Sequence, residues 1–304
     1  MTSSIEKDIY RTIAYFAYFG YPLTQFEIWK WMLQPARKYS LVEVLETLES
    51  SIWLNNEIEA EDGFFGMHGR FGGIEDQICM KHSRFLNAIE KHRKLKKVLK
   101  YVARIPTVRG VAMCNSLVFH HTKQSSDIDL FVITEEGRVW TTRLLAVTPM
   151  KLLRQRPGEA GRDAVDMSFF ADPSALCFEA LKIDNNDPYM SMWIRSLVPL
   201  YECESGVFSD FEWKNKWASD SLPNTTMRKQ AFADRLRLHL RFPHWMVTEK
   251  TAQKFQQRQM PNELSEMANK NTCVVIRDNL LKFHKNDRRV EIAEALNEKI
   301  KICE

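Results

Sequence analysis

Ser125-Ser126-Asp127-Ile128-Asp129-Leu130-Phe131-Val132-Ile133 is the stretch that decides how this chain is read. Its apolar, β-branched and aromatic run has the composition of a β-strand. Side chains alternate across a strand, so Asp127 and Asp129 share one face with Phe131 and Ile133. Two carboxylates side by side at the start of an apolar strand repel each other and are costly to desolvate. A divalent cation relieves both problems. Mg²⁺ (or Mn²⁺) fits, since hard cations prefer oxygen ligands and bind one or two carboxylates with substrate phosphates. Asp127 and Asp129 are therefore the first candidate metal ligands.

The neighbouring segments extend the pattern. Upstream, residues 108–113 read as an apolar strand that ends at Cys114-Asn115-Ser116. A small polar residue that follows a strand and opens a helix suits phosphate binding through backbone N–H groups and the helix dipole. Ser116 adds a hydroxyl donor. Downstream, the turn Glu135-Glu136-Gly137 leads into a helix predicted over residues 138–153. A third strand, residues 164–170, carries Asp166 as its lone charge. Asp166 is the candidate third carboxylate and Asp163 the fallback. The plainer reading pairs Asp166 with Arg162 or another cation. His120-His121 lies in the loop before Asp127, where adjacent histidines are more often plain surface residues than ligands.

These elements resemble the nucleotidyltransferase superfamily that includes DNA polymerase beta. That family carries Gly-Ser after a strand, a spacer, then Ser-Asp-x-Asp-apolar on the next strand and a third carboxylate on a later one. Here the matching residues are Asn115-Ser116, Ser126-Asp127-Ile128-Asp129-Leu130 and Asp166. The resemblance implies an α+β fold with a mixed-sheet core over residues 107–171. It also implies transfer of a nucleoside monophosphate from an NTP to an acceptor hydroxyl, with Asp127, Asp129 and Asp166 holding Mg²⁺. Asn115, Ser116, Ser126, Lys123, Arg138 and Arg143 would contact the nucleotide. The family's usual Gly is Asn115 here, and Asn is among the few residues that tolerate the left-handed conformation. The same departure leaves room for a degenerate, non-catalytic member that only binds nucleotide or nucleic acid. The segments Tyr21-Pro22-Leu23-Thr24 and Leu197-Val198-Pro199-Leu200-Tyr201 are more broadly similar to bacterial nucleotidyltransferase-like proteins.

Flanking regions frame this core. Ile5, Ile9, Ile13 and Phe16 recur at helical spacing, and the pattern stops at Gly20. Thr24 with Glu27, and Ser40 with Glu43, are capping boxes that open two further helices. Residues 57–67 read as a hairpin around Glu61-Asp62-Gly63. Three helices and a hairpin are the plan of a winged-helix domain, predicted over residues 1–72. Its second capped helix holds Glu43, Glu46 and Glu49 but no Lys or Arg, which argues against ordinary major-groove reading. A long connecting helix follows within residues 73–106 and ends before Pro106. Its basic residues between 81 and 104 are a candidate nucleic-acid face, set against the commoner solvated face. Leu86, Ile89, Leu95, Val98, Leu99 and Val102 are expected to turn inward.

Residues 172–304 read as a mainly helical C-terminal domain, punctuated by Asp187-Pro188, Leu222-Pro223, Phe242-Pro243 and Met260-Pro261. A short strand is expected within residues 271–277 and an amphipathic helix over 289–303. The polar run 283–289 reads as a helix start capped by Asp287, with substrate contact as the alternative. Six scattered cysteines, including Cys303, exclude a zinc motif or a disulfide framework. A net charge of +4 is compatible with nucleotide, RNA or protein-acceptor partners without demanding them. No apolar leader and no membrane-length run are present, so a cytoplasmic location is expected.

Overall fold

The computed structural model describes residues 3–69, 71–160, 162–228 and 248–301. The break at Phe242-Pro243 and Cys303 lie outside the described residues. The N-terminal segment runs α1 (Ser4–Ala17), β1 (Leu23–Thr24), α2 (Gln25–Lys30), α3 (Leu41–Ser50), α4 (Ile52–Glu57), β2 (Glu59–Glu61) and β3 (Phe64–Gly66). Thr24 and Ser40 cap α2 and α3 through reciprocal bonds with Glu27 and Glu43, and Ser3 with Glu6 does the same for α1. The chain makes four helices here rather than three. Ser51 closes α3 in an extended conformation and its hydroxyl accepts from the Leu54 N–H to open α4. The strands form an antiparallel sheet in the order β1-β3-β2. Asp62 and Gly63 both take positive φ, +50° and +77°, as a tight hairpin turn requires.

The core follows. α5 (Ile74–Val102) leads into β4 (Val108–Met113), β5 (Ile128–Thr134), α6 (Val139–Leu152) and β6 (Val165–Ala171). Beyond these come α7 (Pro188–Ser196), β7 (Val198–Glu202), α8 (Val207–Lys214), α9 (Trp217–Ser221), α10 (Glu249–Arg258) and α11 (Asn262–Met267). β8 (Val274–Ile276), β9 (Leu280–Phe283) and α12 (Arg289–Ile300) complete the described chain. The main sheet has six strands in the order β7-β4-β5-β6-β9-β8. It is mixed: β5 and β6 are parallel, joined by the α6 crossover, and the other pairs are antiparallel. The sheet therefore does not end at residue 171. Val198–Glu202 and the 274–283 hairpin, both within the segment expected to be mainly helical, supply half its strands. β8 is the short strand expected within residues 271–277, whereas β7 and β9 are short apolar runs that periodicity cannot separate from a buried helix.

Both sheet faces are covered, giving three layers. Val111, Met113, Leu130, Val132 and Val165 pack against Leu95, Val98 and Val102 of α5 and Trp140 of α6. Ala112, Phe131, Ile133 and Phe169 pack against Phe178, Trp193 and Phe211. Phe131 is the hub of this second core, with ring centroids 5.1 Å from Phe169, 5.6 Å from Phe178 and Phe211, and 5.7 Å from Trp193. α12 packs with α1, and Ile292 and Leu296 join the N-terminal core. The end of the chain thus ties the N-terminal segment to the rest.

Two expectations for α5 need correction. Leu86 and Ile89 are exposed, as is Phe85. The basic residues are not one solvated stripe either. Lys81 pairs with Glu27 at 2.9 Å, Arg84 donates to the Phe19 carbonyl, Lys94 donates to the Asp163 carbonyl, and Lys91 is fully buried. α5 touches the β2–β3 hairpin as well as the main sheet, so its inward stripe shifts along its length.

Phe131→Ala is expected to cost about 3–5 kcal/mol, the usual range for a buried Phe. Chemical denaturation of the full-length protein measures it, and a loss below about 1 kcal/mol would mean the aromatic hub is misplaced.

Candidate active site

The acids meet at one end of the sheet. Asp127 immediately precedes β5, Asp129 is the second residue of β5, and Asp166 is the second residue of β6. In the parallel pair Asp129 stands opposite Asp166, and Phe131 stands opposite Phe169. Two residues of β5 therefore span three of β6. This bulge returns Asp166 and Phe169 to the same face, which plain alternation would have put on opposite faces. Asp127, Asp129 and Asp166 all line one cleft of about 510 Å³.

Burial pushes the Asp129 carboxyl up to about 8, with the Asp166 charge as the next cause. Burial likewise lifts Asp166 to about 6, against the lowering effect of the Ser168 hydroxyl 3.0 Å away. Asp127 is raised by burial and eased by the nearby Lys91 ammonium. Among the described residues, none of the three carboxylates forms an ion pair. Mutually repelling, desolvated and unpaired carboxylates are the chemistry a hard cation resolves. As the side chains stand, no group of three His, Cys, Asp or Glu among the described residues forms a ready metal cage. A cation here would draw on one or two carboxylates and on oxygens from its ligand.

Asn115 holds the turn beside the acids. Its φ of +58° is left-handed, the conformation for which the resembled family uses Gly. Its side chain accepts from the Trp193 indole N–H at 3.0 Å and bonds the Asp129 carboxyl. The expected helix after it is a five-residue 3₁₀ turn, Asn115–Phe119, so little helix dipole is available there. Ser116, Lys123 and Ser126 line a second cavity of about 340 Å³. The two cavities adjoin: Phe19, Asn115, Tyr189, Trp193 and Arg288 line both.

The remaining expected contacts fall elsewhere. Arg138 caps α6, beyond the end of β5 opposite Asp127, and lines neither cavity. Arg143 is held in the interior, donating to Gln256 at 2.6 Å and lying 4.6 Å from the Phe283 ring. Burial, then the Arg156 charge, lowers its guanidinium to about 10, while the Asp166 charge acts the other way. Asp163 is tied to Lys91 at 2.6 Å and serves as its counter-charge. His121 is buried against Arg84 and the Phe19 carbonyl, and burial drives its pKa down to about 3. His120 contacts His92, and burial lowers it to about 4. Both imidazoles are neutral packing groups.

One contributor, Lys91, reads from sequence only as part of the basic helix and not as a site residue. Fully buried Lys91 donates to the carbonyls of Ser126 at 2.7 Å and Gln124 at 3.3 Å, fixing the loop that delivers Asp127. Its signal was positional: Lys91 sits on the same stripe as buried Ala88, Leu95 and Val98. The wall facing the acids is formed by Lys282, His284, Asp287 and Arg289, the last three from the polar run whose alternative reading is substrate contact. Arg289 pairs with Asp187 at 3.0 Å and Asp287 at 2.8 Å in a buried network, while Lys285, Asn286 and Arg288 of the same run are exposed. Burial, then the Arg289 charge, lowers Lys282 to about 8. Asp287 accepts from the Arg289 N–H at the start of α12.

Neither protein-family models, curated proteins nor solved structures match this chain. Among the described residues, no helix is long and apolar enough to cross a membrane.

The raised carboxyl gives a pH signature. Asp129 titrates near its ordinary 3.8 when unfolded and near 8 when folded. Between those values the native state holds a proton that the unfolded chain has released, so its contribution to stability declines as pH rises. Without divalent cations, Asp129→Asn should melt several degrees above wild type near pH 8.5, with the gap closing near pH 4. Parallel melting curves across that range would contradict the assignment.

Proposed function

We propose that this protein is a metal-dependent nucleotidyltransferase of the polymerase beta type. It would move a nucleoside monophosphate from an NTP to an acceptor hydroxyl on RNA, a protein or a small molecule. One observation carries this reading: Asp129 and Asp166 stand in register on parallel neighbours, with Asp127 and the left-handed Asn115 turn in the same cleft. Mg²⁺ or Mn²⁺ suits the hard-oxygen donors of Asp127, Asp129 and Asp166. When bound, it supplies the positive charge that lets them stay ionised together and polarises phosphate oxygens.

The chain's own groups then have separable tasks. Asn115 orients the Asp129 carboxyl. Lys91 holds the loop before Asp127. Asp166, opposite Asp129 on the neighbouring strand, would take the proton of the acceptor hydroxyl. The acceptor oxygen forms a bond to the α-phosphorus, the bond to the β-phosphate oxygen breaks, and pyrophosphate leaves. The N-terminal element order, helix–strand–helices–hairpin, supports a winged-helix reading. The acidic exposed residues of α3 favour a protein contact over a DNA groove there.

A second reading, a binding protein without transfer activity, is favoured by Asn115 itself. Its side chain is engaged by Trp193 and Asp129 at the point where the family's Gly leaves space for phosphate. Incubation of the protein and Mg²⁺ with α-phosphate-labelled NTPs and cell extract separates the two. Transfer predicts label in one macromolecular or small-molecule fraction, reduced about 100-fold or more by Asp129→Asn or Asp166→Asn. NTP binding without label in any fraction would leave only the binding reading.

A further inference from the structure

The second cavity has a composition unlike the acidic cleft. Its walls are aromatic and apolar, among them Phe16, Phe19, Tyr21, Phe119 and Trp193. Its other lining residues include Lys123, Arg84, which donates to the Phe19 carbonyl, and Arg288, which pairs with Glu291 at 3.0 Å, and no carboxylate among the described residues lines it. His121, the remaining titratable ring there, is neutral. At about 340 Å³ it lies within the ~300–1,000 Å³ typical of small-molecule sites. An aromatic chamber with cations and no anion suits a ligand that is both flat and negatively charged.

Position narrows the ligand further. Lys123 and Ser126 lie on the loop that runs directly into Asp127, and Ser116 follows Asn115, which lines both cavities. A phosphate chain held by Ser116, Lys123 and Ser126 would therefore lie between the aromatic walls and the acids. The walls are built jointly: Phe16, Phe19 and Tyr21 come from the N-terminal segment, and Phe119 and Trp193 from the core. α12 fixes the two parts together by packing with α1.

We propose that this chamber is the nucleobase site of the donor nucleotide, so that the N-terminal segment, not the catalytic sheet alone, selects the substrate. This rests on the nucleotidyltransferase reading for the identity of the donor. The rings would supply stacking, and the chamber shape would set base preference. Phe19 is the most informative position because it is half-buried and lines both cavities.

Calorimetric titration of the full-length protein with Mg²⁺ and ATP, GTP, CTP, UTP or inorganic tripolyphosphate tests it. Wild type should bind at least one NTP about tenfold more tightly than tripolyphosphate. Phe19→Ala should remove that gap while leaving tripolyphosphate affinity unchanged. Phe19→Leu, which keeps apolar bulk but no ring, should do the same with an unaltered melting temperature. Equal affinity for every NTP and tripolyphosphate, or a gap that survives both Phe19 substitutions, overturns the base site. An NTP gap that depends on Phe19 but binding that persists undiminished in Asp129→Asn keeps the base site and overturns the catalytic reading instead.

Discussion

Two half-buried carboxyl groups facing each other across a parallel strand pair cannot both ionise cheaply in a cleft of low dielectric. Asp129 and Asp166 are in that position, and the rest of the molecule is organised around it. The sheet supplies the spacing. The bulge in β6 turns Asp166 onto the face of Asp129 while keeping Phe169 packed against Phe131. The aromatic hub behind them, Phe131 with Phe178, Trp193 and Phe211, gives the strands a rigid backing.

The loops at this end of the sheet are fixed by polar contacts from distant parts of the chain. Lys91 reaches from α5 to the carbonyls before Asp127, and Asp163 neutralises it. Trp193 of α7 fixes Asn115, which in turn bonds Asp129. Arg289 binds Asp187 and Asp287 together beneath the opposite wall. Lys91, Trp193 and Arg289 each reach a partner tens of residues away. Such groups are costly to leave unsatisfied, so each contact specifies a single arrangement of the cleft.

The two cavities divide the chemistry by polarity. One sets three carboxylates against a wall that carries Lys282 and Arg289, and the other is mostly aromatic and apolar. Residues of the N-terminal segment reach the second cavity because α1 packs with α12. The terminal helix therefore joins the N-terminal core, through Ile292 and Leu296, to the elements that precede it, through Arg289.

The sequence by itself determined the local pieces. The capping boxes at Thr24 and Ser40, the hairpin at Asp62-Gly63, the extent of α5 and the strands around residues 108, 128 and 165 all follow from short-range rules of capping, turn chemistry and periodicity. So did the shared face of Asp127 and Asp129, because alternation within one strand needs no partner. Tertiary structure alone decided that strands from residues 198–202 and 274–283 complete the sheet, that Arg138 lies at its wrong end and Asp163 is paired away, and that Lys91 is interior. The physical reason is that strand pairing, bulges and buried ion pairs are contacts between residues remote in sequence. Their energy depends on which surfaces meet, and no local pattern records that.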